Sequence, residues 1–163
     1  MDYLWTPWRY QYLTTSDKQK GCVFCAAAES SDDRAHLVAH RAAHNFVILN
    51  RYPYTSGHLM VVPYRHAASL LELDAATLSE MMHLAQTVEK HLRELYRPGG
   101  MNIGMNIGKS AGAGIAGHLH LHALPRWTGD SNFMTVISET RVLPEELERT
   151  WERISEAFGG SST

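Results

Sequence analysis

The chain has 163 residues, 44% hydrophobic and 20% charged, which fits one globular domain with a short appendage and excludes a disordered, fibrous or low-complexity protein. Lys and Arg number 15 against 17 Asp and Glu, a net charge of −2, so no basic surface advertises nucleic-acid binding. The outlier is histidine: 10 residues, about threefold the usual share, which points to metal or acid–base chemistry.

Met1-Asp2-Tyr3-Leu4-Trp5-Thr6-Pro7-Trp8-Arg9 carries no basic stretch followed by an apolar one, so it does not read as a secretory signal. No apolar run approaches the roughly 18 residues of a membrane span, and a cytoplasmic address is expected. Lys18-Gln19-Lys20-Gly21 reads as a turn into Cys22 and Cys25, the two cysteines of the chain. In a reducing compartment a Cys-x-x-Cys is a metal knuckle, a redox dithiol or a pair of core cysteines. The redox motif belongs between a strand and a helix, and nothing before Cys22 reads as a strand.

Two short strands follow, around 37–41 and 45–50, broken at Ala42-Ala43. Tyr52 to Gly57 is a turn, and His58 to Pro63 a third strand. Asp74 caps a long helix to about Tyr96, closed by Pro98-Gly99-Gly100. Its Leu78, Met81, Met82, Ala85, Val88, Leu92 and Leu95 form an apolar stripe, while His83 and His91 read as surface or edge residues. Met101 to Gly108 is a strand running into a glycine-rich turn, and Gly117 to Pro125 a strand by strict alternation. Pro144 opens a helix with Leu147, Trp151, Ile154 and Phe158 on one face, and Gly159 begins a frayed tail. These elements and their short links predict an α+β fold with an antiparallel sheet.

On a strand His118, His120 and His122 share one face, while Leu119, Leu121 and Ala123 point to the core. Neighbouring members of the set start roughly 6.5–7 Å apart and the outer two roughly 13 Å, so one metal cannot easily use all three. At least one imidazole is left for other chemistry. Gly112-Ala113-Gly114-Ile115-Ala116-Gly117 matches a dinucleotide-binding string, but no helix follows it. It reads instead as a phosphate-binding nest, with Asn106, Lys109 and Ser110 as added donors.

His118-Leu119-His120-Leu121-His122-Ala123-Leu124 resembles the signature of the histidine triad superfamily of nucleotide hydrolases and transferases. Asn50-Arg51-Tyr52-Pro53 with Gly57-His58 is similar to another segment of that family. Trp5 to Arg9 and Pro125-Arg126-Trp127 through Asn132-Phe133 resemble the bacterial branch containing diadenosine tetraphosphate phosphorylases. The resemblance implies a five-stranded antiparallel sheet with two main helices, extended across a homodimer. It implies a triad domain over 1–143, including a zinc knuckle, with a C-terminal helix and tail over 144–163.

The resemblance further implies cleavage of dinucleoside polyphosphates at the α-phosphorus through a nucleotidyl-histidine, with phosphate or water as acceptor. Adenylated or phosphoramidate substrates, or nucleotide binding without turnover, are the alternative. His120 maps to the nucleophile, His122 to an orienting or donating histidine and His58 to a fourth histidine near the phosphates. The nucleotide-binding positions are Ile48, Leu49, Asn50, Asn106, Lys109, Ser110, Gly112, Gly114 and Trp127. Cys22, Cys25, His66 and His118 map to a structural zinc site of four ligands. Gly114-Ile115-Ala116-Gly117 departs from the eukaryotic-type pattern of Gln or Ser before the triad, and His36, His40 and His44 read as surface histidines.

Overall fold

The computed structural model describes residues 21–130 and 145–159. Trp5 to Arg9, the turn at 18–20, Asn132-Phe133, Pro144 and the tail from 160 lie outside the described residues. In chain order the elements are α1 (Val23–Glu29), α2 (Asp33–His36), β1 (Val38–Arg41), β2 (Asn45–Leu49), β3 (Leu59–Pro63), α3 (Ala75–Tyr96), β4 (Gly100–Met105), β5 (Leu121–Arg126) and α4 (Leu147–Gly159). Single 3-10 turns lie at Leu70–Glu72 and Lys109–Ala111. The strands form one antiparallel sheet in the order β1-β2-β3-β5-β4, as the α+β reading expects.

β2 and β3 are apolar apart from Asn45, and every residue of both is buried, as a strand covered on two faces requires. Their alternation sorts side chains into two cores. Val47, Leu49, Leu59, Val61, Leu121 and Ala123 meet α3 and α4, whereas Phe46, Ile48, Met60 and Val62 meet Phe24 and Ala27 of α1.

α3 starts where the sequence places it, with the Asp74 carboxylate accepting from the Thr77 N–H at 2.8 Å. Its buried face is centred on Met81, Ala85, Val88 and Leu92. Met82, expected in that stripe, is 55% exposed, and Leu84 is buried instead. At 100° per residue Leu84 falls 60° from Met81 and Met82 falls 100° away. The helix closes through Arg97 in the left-handed region, ahead of the glycines expected to end it.

His91 lies on the Leu84 side of α3 and is 3% exposed, not a surface residue. Its ring meets Phe158 of α4 at 4.8 Å, and His40 stacks on the same phenyl ring at 4.6 Å. His40 is thus a packed side chain. Burial holds both imidazoles below the ordinary histidine range.

α1 and α2 carry no periodic signal in the sequence. Seven residues are too few to hold a helix in isolation, so α1 owes its form to tertiary contacts. The Arg41 guanidinium supplies one set, donating to the carbonyls of Ala27 (2.8 Å), Ala28 (3.0 Å) and Ser30 (2.8 Å) and pairing with Asp33. These bonds satisfy carbonyls that a helix end leaves open. At the other sheet face the Glu80 carboxylate accepts from the N–H groups of Ala43 and His44 and from Asn45 Nδ2, tying the β1–β2 turn to α3.

β5 is shorter than the alternation predicts at its start: Gly117 to His120 precede the ladder, which begins at Leu121 paired with Met105 and Val61. The Leu119 N–H donates to the Ala67 carbonyl at 2.7 Å, and that bond keeps this lead-in beside the chain leaving β3.

Gly57 delivers His58 into β3. Its φ is +77°, and a Cβ there would lie 3.0 Å from Leu92 Cδ2 and 3.3 Å from Pro125 Cγ and Tyr96 Cε2. Gly57→Ala is therefore expected to cost about 1–3 kcal/mol of stability, from the left-handed backbone and the crowding together. Urea unfolding measures it; a midpoint within error of wild type would contradict this account.

Candidate functional site

The α1 face of the sheet gathers the triad histidines with His58 and His66. Cys22 and Cys25 bracket the first turn of α1, His66 follows β3, and His118 lies in the lead-in to β5. One donor atom from each of these four residues lies within 4.8 Å of the others. His118 Nδ1 is 3.2 Å from Cys22 Sγ and 3.6 Å from Cys25 Sγ, and His66 Nδ1 is 3.2 Å from Cys25 Sγ. A tetrahedral zinc with bonds of about 2.0–2.3 Å separates its donors by roughly 3.3–3.8 Å, so the cluster fits that ion. His118 Nε2–H donates to the Pro63 carbonyl at 2.9 Å, which leaves Nδ1, the atom facing the thiols, with the lone pair.

The same bookkeeping of ring protons assigns the other histidines. His120 Nδ1–H donates to the His118 carbonyl at 2.8 Å, so Nε2 carries the lone pair. The Tyr54 N–H donates to His58 Nδ1 at 3.2 Å, so His58 holds its proton on Nε2. That proton lies on the 2.9 Å contact to His122 Nδ1, which makes His122 an Nε2–H donor. The rings of His120 and His122 are 4.8 Å apart, edge to face. A lone pair and a proton donor therefore stand side by side.

Burial explains the electrostatics. It holds His118 and His120 below the usual histidine range, and together with the neighbouring His120 it takes His122 down to about 4. All three rings are neutral near pH 7, as a lone-pair nucleophile or ligand requires.

The structure sorts the remaining expected positions. Ile48 and Met60 are paired across β2 and β3, and Met60 is opposite His122, so Ile48 shares the triad face. Leu49 alternates to the other face, in the core beneath α3, and cannot stand beside Ile48 as a wall. Asn50 lies beside His58, with Nδ2 at 3.5 Å from Nε2, and its Oδ1 accepts from the Tyr52 N–H. Asn106 directly follows β4, whose Gly104 is opposite His122 and whose Met105 is opposite Leu121. Lys109 and Ser110 are exposed on the turn beyond it.

Gly108 and Gly112 take φ of +85° and +88°, giving the glycine-rich turn its curvature. The Gly112 N–H is committed to the Lys109 carbonyl at 2.9 Å, so Gly112 shapes the turn and Gly114 continues it. Trp127 lies beyond the far end of β5, its indole N–H donating to the Tyr96 carbonyl at 3.4 Å, away from the triad. Tyr54, absent from the expected set, meets His58 at 4.8 Å and His122 at 6.4 Å between ring centroids. Its signal in the sequence was its place within Asn50…His58, four residues before the histidine.

The depressed value at His122 has a consequence for stability. A histidine unfolded near 6.5 and folded near 4 contributes fully above pH 6.5, and that contribution is lost as pH falls toward 4. His122→Gln is expected to remove on the order of 2–3 kcal/mol of the stability difference between pH 7 and pH 4. Denaturant titrations at both pH values measure it, and equal pH dependence in variant and wild type would refute the assignment.

Known proteins supply independent evidence. The family model described as HIT domain matches residues 34–129. The chain is 39% identical over 155 residues to the AP-4-A phosphorylase of Mycobacterium tuberculosis, covering 90% of this chain and 79% of the relative. A zinc-bound histidine triad family protein from Mycobacterium smegmatis superposes with a TM-score of 0.69 at 28% identity, covering 86% of this chain and 94% of the other. A hypothetical histidine triad nucleotide-binding protein from Sulfolobus tokodaii gives a TM-score of 0.68 at 28% identity, covering 85% and 93%. With the triad, the sheet order and these matches in agreement, the chain belongs to the histidine triad (HIT) family.

Proposed function

We propose that this enzyme cleaves dinucleoside polyphosphates of the diadenosine tetraphosphate kind at the α-phosphorus, in two displacements through a nucleotidyl-histidine on His120. The carrying observation is the proton order of the rings: His120 presents the Nε2 lone pair, and His122 beside it presents Nε2–H. The 39% identity to a protein named AP-4-A phosphorylase supports the substrate class.

In the first step His120 Nε2 forms a bond to phosphorus as the bond from phosphorus to the polyphosphate oxygen breaks, and the electron pair leaves on that oxygen. The developing charge is met by the His122 Nε2–H, with Asn106, Lys109 and Ser110 as further donors. The positive charge formed on His120 is shared through Nδ1–H with the His118 carbonyl. In the second step an oxygen of the acceptor bonds to phosphorus and the bond to Nε2 breaks, restoring His120. Inorganic phosphate brings an anionic oxygen and needs no base, which suits a neighbour that donates. Water must lose a proton, so the ring order favours phosphate.

Ile48 and Asn50 are assigned to the nucleoside, and Gly112 and Gly114 to the shape of the phosphate turn. Zinc at Cys22, Cys25, His66 and His118 is structural in this reading, since four protein donors close the coordination sphere and pin α1 to the lead-in of β5. The functional unit is the segment 1–143, and 144–163 supplies a C-terminal helix and tail. A reduced dithiol fits a cytoplasmic setting; among the described residues no helix is long and apolar enough to cross a membrane.

The assembly is a homodimer joined through β4. That strand is a sheet edge whose Asn102, Ile103 and Gly104 are exposed, whereas at the other edge the Trp151 indole N–H occupies the Val38 carbonyl at 2.7 Å.

Incubation with diadenosine tetraphosphate, with and without phosphate, tests the reaction. Phosphorolysis yields ADP with ATP and requires phosphate, hydrolysis yields AMP with ATP, and no turnover in either mixture defeats the proposal. His120→Ala is expected to lower kcat by about 10³-fold or more while leaving the fold intact.

Elemental analysis of the purified protein should find one zinc per chain, and Cys25→Ser should lose it together with several degrees of Tm. Full thermal stability without the metal would contradict a structural zinc. Sedimentation as a stable monomer would count against the dimer.

A further inference from the structure

Between the metal cluster and His120 lies a side chain with no role so far. Phe24 sits inside Cys22-Val23-Phe24-Cys25, in the first turn of α1, and is 3% exposed. Its ring meets His118 at 5.4 Å between centroids with the planes at 71°, and His120 at 5.0 Å and 48°. The rest of it is embedded among Val38, Phe46, Ile48, Met60 and Val62 of the sheet. One phenyl ring thus touches both the candidate ligand and the candidate nucleophile.

His120 needs such a support. It precedes the first paired residue of β5, at the margin of the ladder. Among the described residues one hydrogen bond, Nδ1–H to the His118 carbonyl, holds its ring, and the last torsion of a histidine side chain is otherwise broad. Displacement at phosphorus demands a particular approach of Nε2, and small errors of angle cost rate. The tilted ring of Phe24 and the ring of His122, 4.8 Å away, limit the rotation that the hydrogen bond alone permits.

We propose that Phe24 is a positioning residue for His120: its ring sets the imidazole angle at which Nε2 meets phosphorus, and its own place is set by the cysteines on either side of it. This rests on the assignment of His120 as nucleophile. The ring is buried behind the imidazoles, so its effect falls on the chemical step and spares substrate binding. A phenylalanine serving the core alone would lower stability and leave kcat per folded, metal-loaded molecule unchanged.

Phe24→Leu and Phe24→Met keep apolar volume at the site and remove the flat face. Each variant is compared with wild type for zinc content, for KM and kcat on diadenosine tetraphosphate, and for the tautomer of His120 by ¹⁵N NMR of the imidazoles. The expected result is a folded protein with wild-type zinc, KM within about twofold and kcat lower by about tenfold or more. The His120 signal should change from one Nδ1–H tautomer to an average of two. Unchanged kcat together with an unchanged tautomer in either folded variant overturns the proposal.

Wild-type protein supplies a test that needs no variant: magnetisation transfer between the Phe24 and His120 ring protons is expected, and its absence also overturns the proposal. The NMR comparison needs no turnover. If wild type fails to cleave the nucleotide, the functional reading fails while the tautomer result still judges Phe24.

Discussion

The 2.8 Å hydrogen bond from His120 Nδ1 to the His118 carbonyl is the contact on which the geometry of the site depends. It sends the His120 proton backward and leaves Nε2 with the lone pair. The same residue that offers the carbonyl turns its own Nδ1 toward two thiols and anchors Nε2–H on Pro63. One residue therefore serves the cysteine–histidine cluster with its side chain and the candidate nucleophile with its backbone. This is possible because residues 118–120 stand outside the ladder. Within a paired strand that carbonyl would face a neighbouring N–H, as ladder carbonyls do. The early end of the strand is thus part of the site.

The sheet lets two tasks proceed without interference. Side chains of even number on β2 and β3 meet α1, and those of odd number meet α3 and α4. The helices on the second face brace the sheet through Phe158, packed between His40 and His91, and through Trp151, whose indole caps a β1 carbonyl. The first face carries the triad, Ile48 and the knuckle. Val47 and Leu49 contribute to the brace, while Phe46 and Ile48, one residue away, contribute to the site floor.

Much of this was legible in the sequence, for identifiable reasons. Period-two alternation placed His118, His120 and His122 together, and the Asp74 cap with its apolar stripe located the start of α3 and its approximate end. What was illegible depends on partners distant in the chain. α1 is too short to announce itself and is held by Arg41 and by Phe24 against the sheet. His91 reads as a surface residue because its partner, Phe158, lies 67 positions later in the sequence. Leu49 was grouped with Ile48 by adjacency, although neighbours on a strand face opposite ways. Trp127 was placed by likeness of motif, which says nothing of where its indole points. The expected zinc ligands come from resemblance, and the convergence of Cys22, Cys25, His66 and His118 within 4.8 Å is a property of the fold.

Neutrality in the buried cluster also constrains what the site can do alone. Three imidazoles, of His58, His120 and His122, are in ring contact, and a charge buried among them would be expensive without a counterion. Protons are therefore distributed one to a ring and pointed in a definite order, from the Tyr54 N–H through His58 to His122. An arriving polyphosphate reverses the electrostatic balance, because its anionic oxygens favour a positive charge on the ring they approach. The cost of a positive charge on a buried imidazole falls when that anion is present. The low dielectric that keeps the rings neutral also strengthens the attraction between a cationic ring and phosphate oxygens. A buried neutral histidine beside a buried donor is in this sense prepared for an anion, and an exposed pair, solvated and screened, would lose most of that advantage.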